Sequence, residues 1–314
     1  MFVNIYVSFT IKYDIIKENF LMTSALLILL IVVLYSFQTL FCTIYTNKYP
    51  GKPENASPVF CVLESIAIAL FTWAWIGFKF NMSPITLLFG SLNAVVLFTY
   101  NTSLIKASSK GSYAFMNVAM LFGCILVPLM YTTIFLGDKL VWYQYAAIAL
   151  MLVSFILMNY KDFKKKGERT PWSYYVFCAL LFLSNGMYGT LLKMQSDYDV
   201  SQKNEMIILT YGIMGIIAFI QLAFKEKKDT LKAFRMNKKS ILPLVLCLAS
   251  AALAINILVL VIPMVNTAVL YTVENGGVLV LSAIYSFIFF KEKPQLLKVI
   301  GIILAAVSIT VLSI

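Results

Sequence analysis

The longest uncharged stretch of the chain constrains its fold more than any other feature. It runs from Ser240 to Val273 and is almost entirely apolar. A helix needs about 20 apolar residues to cross a bilayer, so this stretch is too long for one span. Pro263 and Asn266 interrupt it, and both residue types favour a turn over a continuous helix. The stretch therefore predicts two transmembrane helices joined by a short turn.

Similar apolar runs recur along the whole chain. Of its 314 residues, 61% are hydrophobic and 12% are charged. A soluble domain carries about 25% charged residues, so this chain has too few to cover a water-facing surface. We therefore predict an all-α polytopic membrane protein with about ten transmembrane helices. The predicted spans are residues 21–46, 58–78, 85–105, 111–136, 140–160, 172–192, 206–224, 241–263, 267–290 and 294–314.

The residue types that the chain lacks exclude several classes of function. It has no histidine, which removes histidine-based zinc sites and Ser-His-Asp triads. Its five cysteines form no Cys-x-x-Cys pair and lie in or beside apolar runs, so no disulfide framework is indicated. No P-loop occurs, and the net charge of +11 is concentrated in short Lys-rich runs between apolar stretches. We expect no metal, no cofactor and no nucleic-acid partner, and we expect a lipid bilayer around the protein.

The chain also contains an internal repeat. A shift of 154 residues places Gly123 on Gly277 and Ser154 on Ser308 without a gap between them. Each half then holds five spans. Because five is an odd number, the two halves must insert with opposite orientation. We predict an inverted repeat of the kind that secondary transporters use, with the substrate at the interface between the repeats.

The repeat defines four segments of the chain. The first five-helix half is residues 22–160, a polar linker is residues 161–171, and the second five-helix half is residues 172–314. Residues 1–21 are expected to be an interfacial helix or an artefact of start choice, since Met22 directly precedes a clean span.

Two short charged turns connect this repeat to a known family. The turns are Gly137-Asp138-Lys139 and Lys291-Glu292-Lys293, and a helix rich in small residues follows each. Together with the two five-helix halves, they resemble the drug/metabolite transporter (DMT) superfamily in its ten-helix EamA-like branch, over residues 22–314. The usual family turn is Gly-Glu, whereas here the first turn has Gly-Asp and the second lacks the glycine. The resemblance implies a ten-helix transporter whose central cavity is lined by the first four helices of each half.

Two acidic residues fall inside predicted spans. A carboxylate at the bilayer centre costs about 2.5–3.5 kcal/mol on insertion scales, so Glu64 and Glu274 are candidates for a substrate or coupling-ion site. Tyr271 and Asn275 accompany Glu274, one at the preceding helical turn and one directly beside it. We predict that Glu274 exchanges a proton or binds a cation. The alternatives are a carboxylate that reaches the interface and one that pairs with a lysine, for which Lys106 and Lys193 qualify.

Three further polar residues within spans are candidates for the same site: Asn185, Tyr188 and Asn117. Asn185 and Tyr188 belong to the densest cluster of polar and small residues in any predicted span. Hydrogen bonds between helices are a sufficient alternative reason for each of the three, since an amide in lipid must find a partner.

These features favour a secondary transporter that exports a small organic metabolite or a drug-like cationic or zwitterionic solute, with protons as the coupling ion. We expect it in the cell membrane and expect residues 22–160 to rock against residues 172–314. The absence of arginine from every span disfavours phosphorylated substrates. A lipid or lipid-linked sugar flippase and a non-transporting membrane subunit are the alternatives. An enzyme is not expected, because no acid, base and nucleophile occur together.

The charge distribution and the family resemblance predict opposite orientations of the protein in the membrane. The loops that follow odd-numbered spans hold 18 Lys and Arg residues, against 6 on the other side. The positive-inside rule then places both termini outside the cell. The family resemblance implies that both termini are inside.

Overall fold

The computed structural model of the chain consists of α-helices joined by short turns. It describes residues 2–131, 134, 141–143, 145–150, 153, 154, 157, 170–265, 267–289, 291 and 296–312. Within these ranges, the side chains of residues 2–22 and of single positions in later helices are not described, Asn117 and Tyr271 among them. No β-strand occurs in the described part of the chain.

The helices follow the predicted spans within a few residues at most ends. Their bounds are α1 Phe2–Lys48, α2 Ala56–Trp75, α3 Pro84–Ser108, α4 Tyr113–Tyr131, α5 145–150, α6 Trp172–Tyr198, α7 Lys203–Glu226, α8 Lys238–Val261, α9 Thr267–Ile288 and α10 Leu296–Leu312. Short 3-10 helices cover Pro53–Asn55, Val200–Gln202 and Lys227–Phe234. The main difference is at α1, where residues 2–20 continue the helix that was expected to begin at residue 21.

Six helical stretches in the described ranges are long and apolar enough to cross a membrane. They are Thr23–Lys48, Pro53–Trp75, Pro84–Ser108, Trp172–Tyr198, Val200–Phe234 and Lys238–Val261. Large apolar side chains are exposed along them, for example Leu26 and Leu88 at 61% and 55%. Such an apolar surface is unfavourable in contact with water but favourable in contact with lipid. The chain is therefore an all-α integral membrane protein, while the count of ten spans stays a prediction.

Capping side chains fix where two of these helices begin. The Ser83 side chain accepts a hydrogen bond from the backbone of Thr86, and Pro84 occupies the first turn of α3. At α8, the side chains of Asn237 and Ser240 each accept a hydrogen bond from the other's backbone. Both caps satisfy backbone N–H groups that a helix start otherwise leaves without partners.

The helices pack into two bundles that do not coincide with the two halves of the sequence. Helix α1 packs against α8 and α9, which we call the first bundle. Helix α6 packs against α3 and α4, which we call the second bundle. Helices α2 and α7 pack on each other, with α2 also touching α8 and α7 also touching α3. Helices α1 and α6 thus each pack with helices from the other half of the sequence, while the rocking of residues 22–160 against residues 172–314 stays a prediction.

Two serine hydrogen bonds join α10 to α5 and to the described helical residues 153 and 154 that follow it. Ser154 Oγ donates to the carbonyl of Gly301 at 2.7 Å, and Ser308 Oγ donates to the carbonyl of Ala147 at 2.7 Å. As the residue number rises from 147 to 154 in one segment, the number of its partner falls from 308 to 301. The two segments therefore run antiparallel where they touch.

Candidate functional site

A cavity between the two bundles contains both predicted acidic residues. Eight helices line it, namely α1, α2, α3, α4, α6, α7, α8 and α9. Glu64 reaches it from α2, and Glu274 reaches it from α9. None of the described residues that line the cavity is basic. The cavity therefore holds two carboxyl groups without a lysine or arginine beside them, which favours a cation as its ligand.

Glu64 is buried and is held by two amides. Its side chain is 1% exposed. Gln38 Nε2 on α1 donates to Glu64 Oε1 at 3.4 Å, and Asn101 Nδ2 on α3 donates to Glu64 Oε2. A buried carboxylate is tolerated only when donors replace its lost water. Because α1 belongs to the first bundle and α3 to the second, Glu64 is hydrogen-bonded to both bundles.

Glu274 is also buried, at 8% exposure, but is less well satisfied. Its Oε2 atom has no hydrogen-bond partner among the described residues. The lysines that were alternatives as its ion-pair partners lie elsewhere: Lys193 pairs with Asp197, and the Lys106 ammonium lies 5.4 Å from the centre of the Phe177 ring. Among the described contacts, neither lysine therefore pairs with Glu274. A buried carboxylate oxygen without a donor is an open position for a ligand or a proton.

Contacts between loops show which helix ends share a side of the membrane. The Lys52 ammonium lies 2.8 Å from a carboxylate oxygen of Glu226, and the Tyr49 hydroxyl donates to the carbonyl of Ala233 at 2.7 Å. The α1–α2 and α7–α8 connections are therefore together, on what we call the Lys52 face. On the opposite side, the Gln202 Oε1 atom accepts from the Ser83 backbone at 2.8 Å, which places the α2–α3 and α6–α7 connections together on the Gln202 face.

Glu64 and Glu274 lie on helices that begin on opposite faces of the protein. Helix α2 begins at Ala56 on the Lys52 face, and Glu64 lies eight residues further, about 12 Å into the protein at 1.5 Å per residue. Helix α8 begins on that same face, so α9 begins at Thr267 on the Gln202 face, and Glu274 lies seven residues further, about 10 Å in. The two carboxyl groups therefore lie at different depths in one cavity.

Three of the other predicted site residues also line the cavity. Asn185 Nδ2 donates to the backbone carbonyl of Met120 at 2.8 Å, which ties α6 to α4. Asn275 shares a side-chain hydrogen bond with Cys124 of α4, and Tyr188 of α6 lines the cavity together with Tyr211 of α7. All three therefore fit both a structural role, because they contact a second helix, and a role in the site, because they line the cavity. The side chains of Asn117 and Tyr271 lie outside the described residues.

Sequence reasoning missed part of the cavity wall. Tyr35, Gln38 and Thr39 of α1 line the cavity, as do Tyr100 and Asn101 of α3. The sequence does indicate that Tyr35, Gln38 and Thr39 belong together, since spacings of three and four residues place them on one face of a helix. Gln38 and Asn101 are two of several polar residues within predicted spans, and nothing in the sequence connects them to Glu64.

Comparison with known proteins shows the fold alone. No protein family model matches the chain, and no curated protein matches it. Among 26 matching chains of solved structures is a crystal structure with a TM-score of 0.62 and 13% sequence identity. The alignment covers 92% of this chain and 96% of that chain. The chain therefore shares a fold with a solved protein over nearly its whole length.

Proposed function

We propose that this protein is a secondary transporter that exports a small cationic or zwitterionic organic solute across the cell membrane, in exchange for protons. The observation that carries the proposal is the central cavity, into which two buried carboxyl groups point without a basic residue among the described lining side chains. Isolated acids in a membrane interior are costly and mark ion or substrate pathways by default. Membership of the DMT superfamily is part of the same proposal.

An inverted repeat within the proposal is supported by helix packing. If the halves are related by a two-fold axis, α1 corresponds to α6, α3 to α8 and α4 to α9. The contacts of α1 with α8 and α9 then match those of α6 with α3 and α4. The antiparallel serine contact between α5 and α10 is the arrangement that such an axis requires, because Ser154 and Ser308 exchange places under it.

The proposed mechanism is alternating access between the two bundles. Hydrogen bonds and ion pairs between the halves hold both ends of the protein. On the Lys52 face they are charged, since Lys52 pairs with Glu226 at 2.8 Å and Lys225 lies 3.4 Å from Glu54. On the Gln202 face they are neutral, since Gln202 Oε1 accepts from Thr86 Oγ1 at 2.7 Å as well as from Ser83. The ion pairs of the Lys52 face join the α1–α2 connection to the end of α7, whereas the Gln202 contacts join α3 to the α6–α7 connection and so stay within the second bundle. Separation of the bundles is therefore expected to leave the Gln202 contacts intact.

The substrate class follows from charge. Two carboxylates would repel a phosphate or a carboxylate anion, and recognition of phosphate favours Arg or Lys. An alkylammonium or a heteroaromatic cation would instead be attracted. The aromatic side chains of Tyr100, Tyr188 and Tyr211 in the cavity wall add apolar surface and ring faces that suit an organic cation.

The direct test is flux into proteoliposomes that contain the purified protein. A panel of organic cations, zwitterions and phosphorylated compounds would be presented with an imposed pH gradient. We expect saturable uptake of cations or zwitterions, and loss of that uptake in Glu274→Gln. Glu205→Gln is the matched control, because Glu205 is an acid of α7 outside the cavity lining. Uptake of phosphorylated compounds alone would contradict the substrate class, and no uptake of any compound would favour a non-transporting subunit.

A further inference from the structure

We propose that the two carboxyl groups divide the work of exchange: Glu274 binds the positive group of the substrate, and Glu64 binds and releases the proton. This division rests on the proposed transport function and assigns separate roles within that one cavity. It is carried by the different surroundings of the two acids, one hydrogen-bonded to both bundles and one with an open oxygen atom.

Glu64 is placed where a proton changes the contact between bundles. When ionised, its two oxygen atoms accept from Gln38 on the first bundle and Asn101 on the second. Gln38 is itself tied to the first bundle, since its backbone carbonyl accepts from Cys247 Sγ on α8 at 3.4 Å. A protonated carboxyl group has to donate its own hydrogen, and an amide N–H group cannot accept it. Protonation therefore weakens one of the two links.

The link to Gln38 is the one expected to break. Its length of 3.4 Å is beyond the usual range for an N–H···O hydrogen bond. A proton on Glu64 thus removes the hydrogen bond between α2 and Gln38 of the first bundle, while the hydrogen bond to Asn101 of the second bundle remains. The step is a simple transfer: the carboxylate takes a proton from hydronium in water that enters from one face and returns it to water at the other face.

The other groups around Glu64 do not compete for this proton near neutral pH. The titratable groups that interact with it are thiols and phenols, namely Cys61 on its own helix and Cys247, Tyr100, Tyr188 and Tyr211 on neighbouring helices. Thiols ionise near pH 8.5 and phenols near pH 10 in water, so at neutral pH all five are uncharged. Among the described residues of the cavity wall, Glu274 is the other carboxyl group.

Glu274 is placed where a cation would contact both bundles. It lies on α9 of the first bundle, and Tyr188 and Asn185 of the second bundle line the same cavity. Its Oε2 atom is buried and has no described donor, so an ammonium group could bind it without displacing an existing hydrogen bond. Each oxygen atom of Glu64, by contrast, already accepts a hydrogen bond from an amide.

Two assays separate the roles in proteoliposomes. The probe is the fluorescent cation 4-(4-(dimethylamino)styryl)-N-methylpyridinium, measured in counterflow without a pH gradient and in uptake driven by a pH gradient. In Glu64→Gln we expect counterflow within about twofold of the wild-type protein and pH-driven uptake reduced at least tenfold. In Glu274→Gln we expect both to fall at least tenfold. Glu205→Gln should behave as wild type in both.

A second variant protects the test from misfolding at position 64. Gln38→Ala leaves Glu64 intact but removes the weaker link, so counterflow should persist while pH-driven uptake falls. Loss of counterflow in both Glu64→Gln and Gln38→Ala would overturn the division, as would pH-driven uptake that survives in Glu64→Gln. The transport function itself fails under two conditions together. The wild-type protein must move the probe in neither assay, and it must move no other cation of the panel in counterflow.

Discussion

Three glycines in different surroundings give a graded test of the helix packing. A Cβ atom added at Gly123 of α4 would lie 2.7 Å from the Cα atom of Phe182 and closer still to its carbonyl, so the backbone of α6 would have to move. At Gly277 of α9 the nearest atom is Val32 Cγ1 at 2.6 Å, the end of a side chain. At Gly212 of α7 nothing lies within 4 Å.

The magnitudes follow from two opposing effects of a Gly→Ala change. Alanine is better than glycine in a helix interior by about 1 kcal/mol. Overpacking costs about 1–3 kcal/mol, with the upper end expected where backbone must shift. Gly123→Ala should therefore lose about 2 kcal/mol of unfolding free energy, Gly277→Ala should be near neutral, and Gly212→Ala should gain up to about 1 kcal/mol.

The assay is unfolding of the purified variants in mild detergent, by heat or by titration with a denaturing detergent. The order of stability should be Gly212→Ala, then Gly277→Ala, then Gly123→Ala. Equal stability of the first and last variants would refute the close contact between α4 and α6, and with it the packing of the second bundle.

Three further outcomes are expected. Ser154→Ala and Ser308→Ala should each lower stability by about 1 kcal/mol, nearly additively, because each removes one hydrogen bond at a separate place; a loss in only one variant would contradict the reciprocal contact. Lys52→Glu should destabilise the Lys52 face in thermal unfolding, and adding Glu226→Lys should restore it. The hydrogen bond between the pair raises the pKa of the Lys52 ammonium and lowers that of the Glu226 carboxyl group, so the pair should persist at neutral pH, weaken as the pH rises above the usual lysine range, and weaken as the pH falls below the usual range of a glutamate. From the charge count, a cysteine introduced at Lys228 should react with an impermeant reagent only from the cytoplasmic side, and reaction from outside would support the opposite orientation.

The sequence was sufficient to predict the helices and the two acids of the cavity. Apolar runs of about 20 residues locate spans because the bilayer sets their length. Glu64 and Glu274 stand out because a carboxylate in a span is costly, and this cost does not depend on knowing the fold. Both predictions therefore need only a single residue or a single short segment, and no knowledge of contacts between distant parts of the chain.

The packing of the bundles could not be predicted in the same way. Lipid-facing and buried positions of a membrane helix are both apolar, so hydropathy does not show which face of α1 meets α8. The exchange of α1 and α6 between the halves, and the two amides that hold Glu64, depend on contacts between residues far apart in the chain. Gln38 and Asn101 look like any other polar residues of a span until the helices are placed together.

The central claim is that an organic cation binds at the buried carboxyl groups of the cavity and moves through the protein in exchange for protons. The most direct measurement is the transient current of proteoliposomes on a solid-supported membrane when a cation of the panel is added at constant pH. We predict a saturable current for the wild-type protein and for Glu205→Gln, and none for the double variant Glu64→Gln with Glu274→Gln. A folded wild-type protein that gives no current with any cation, or a double variant that gives the full current, would contradict the account.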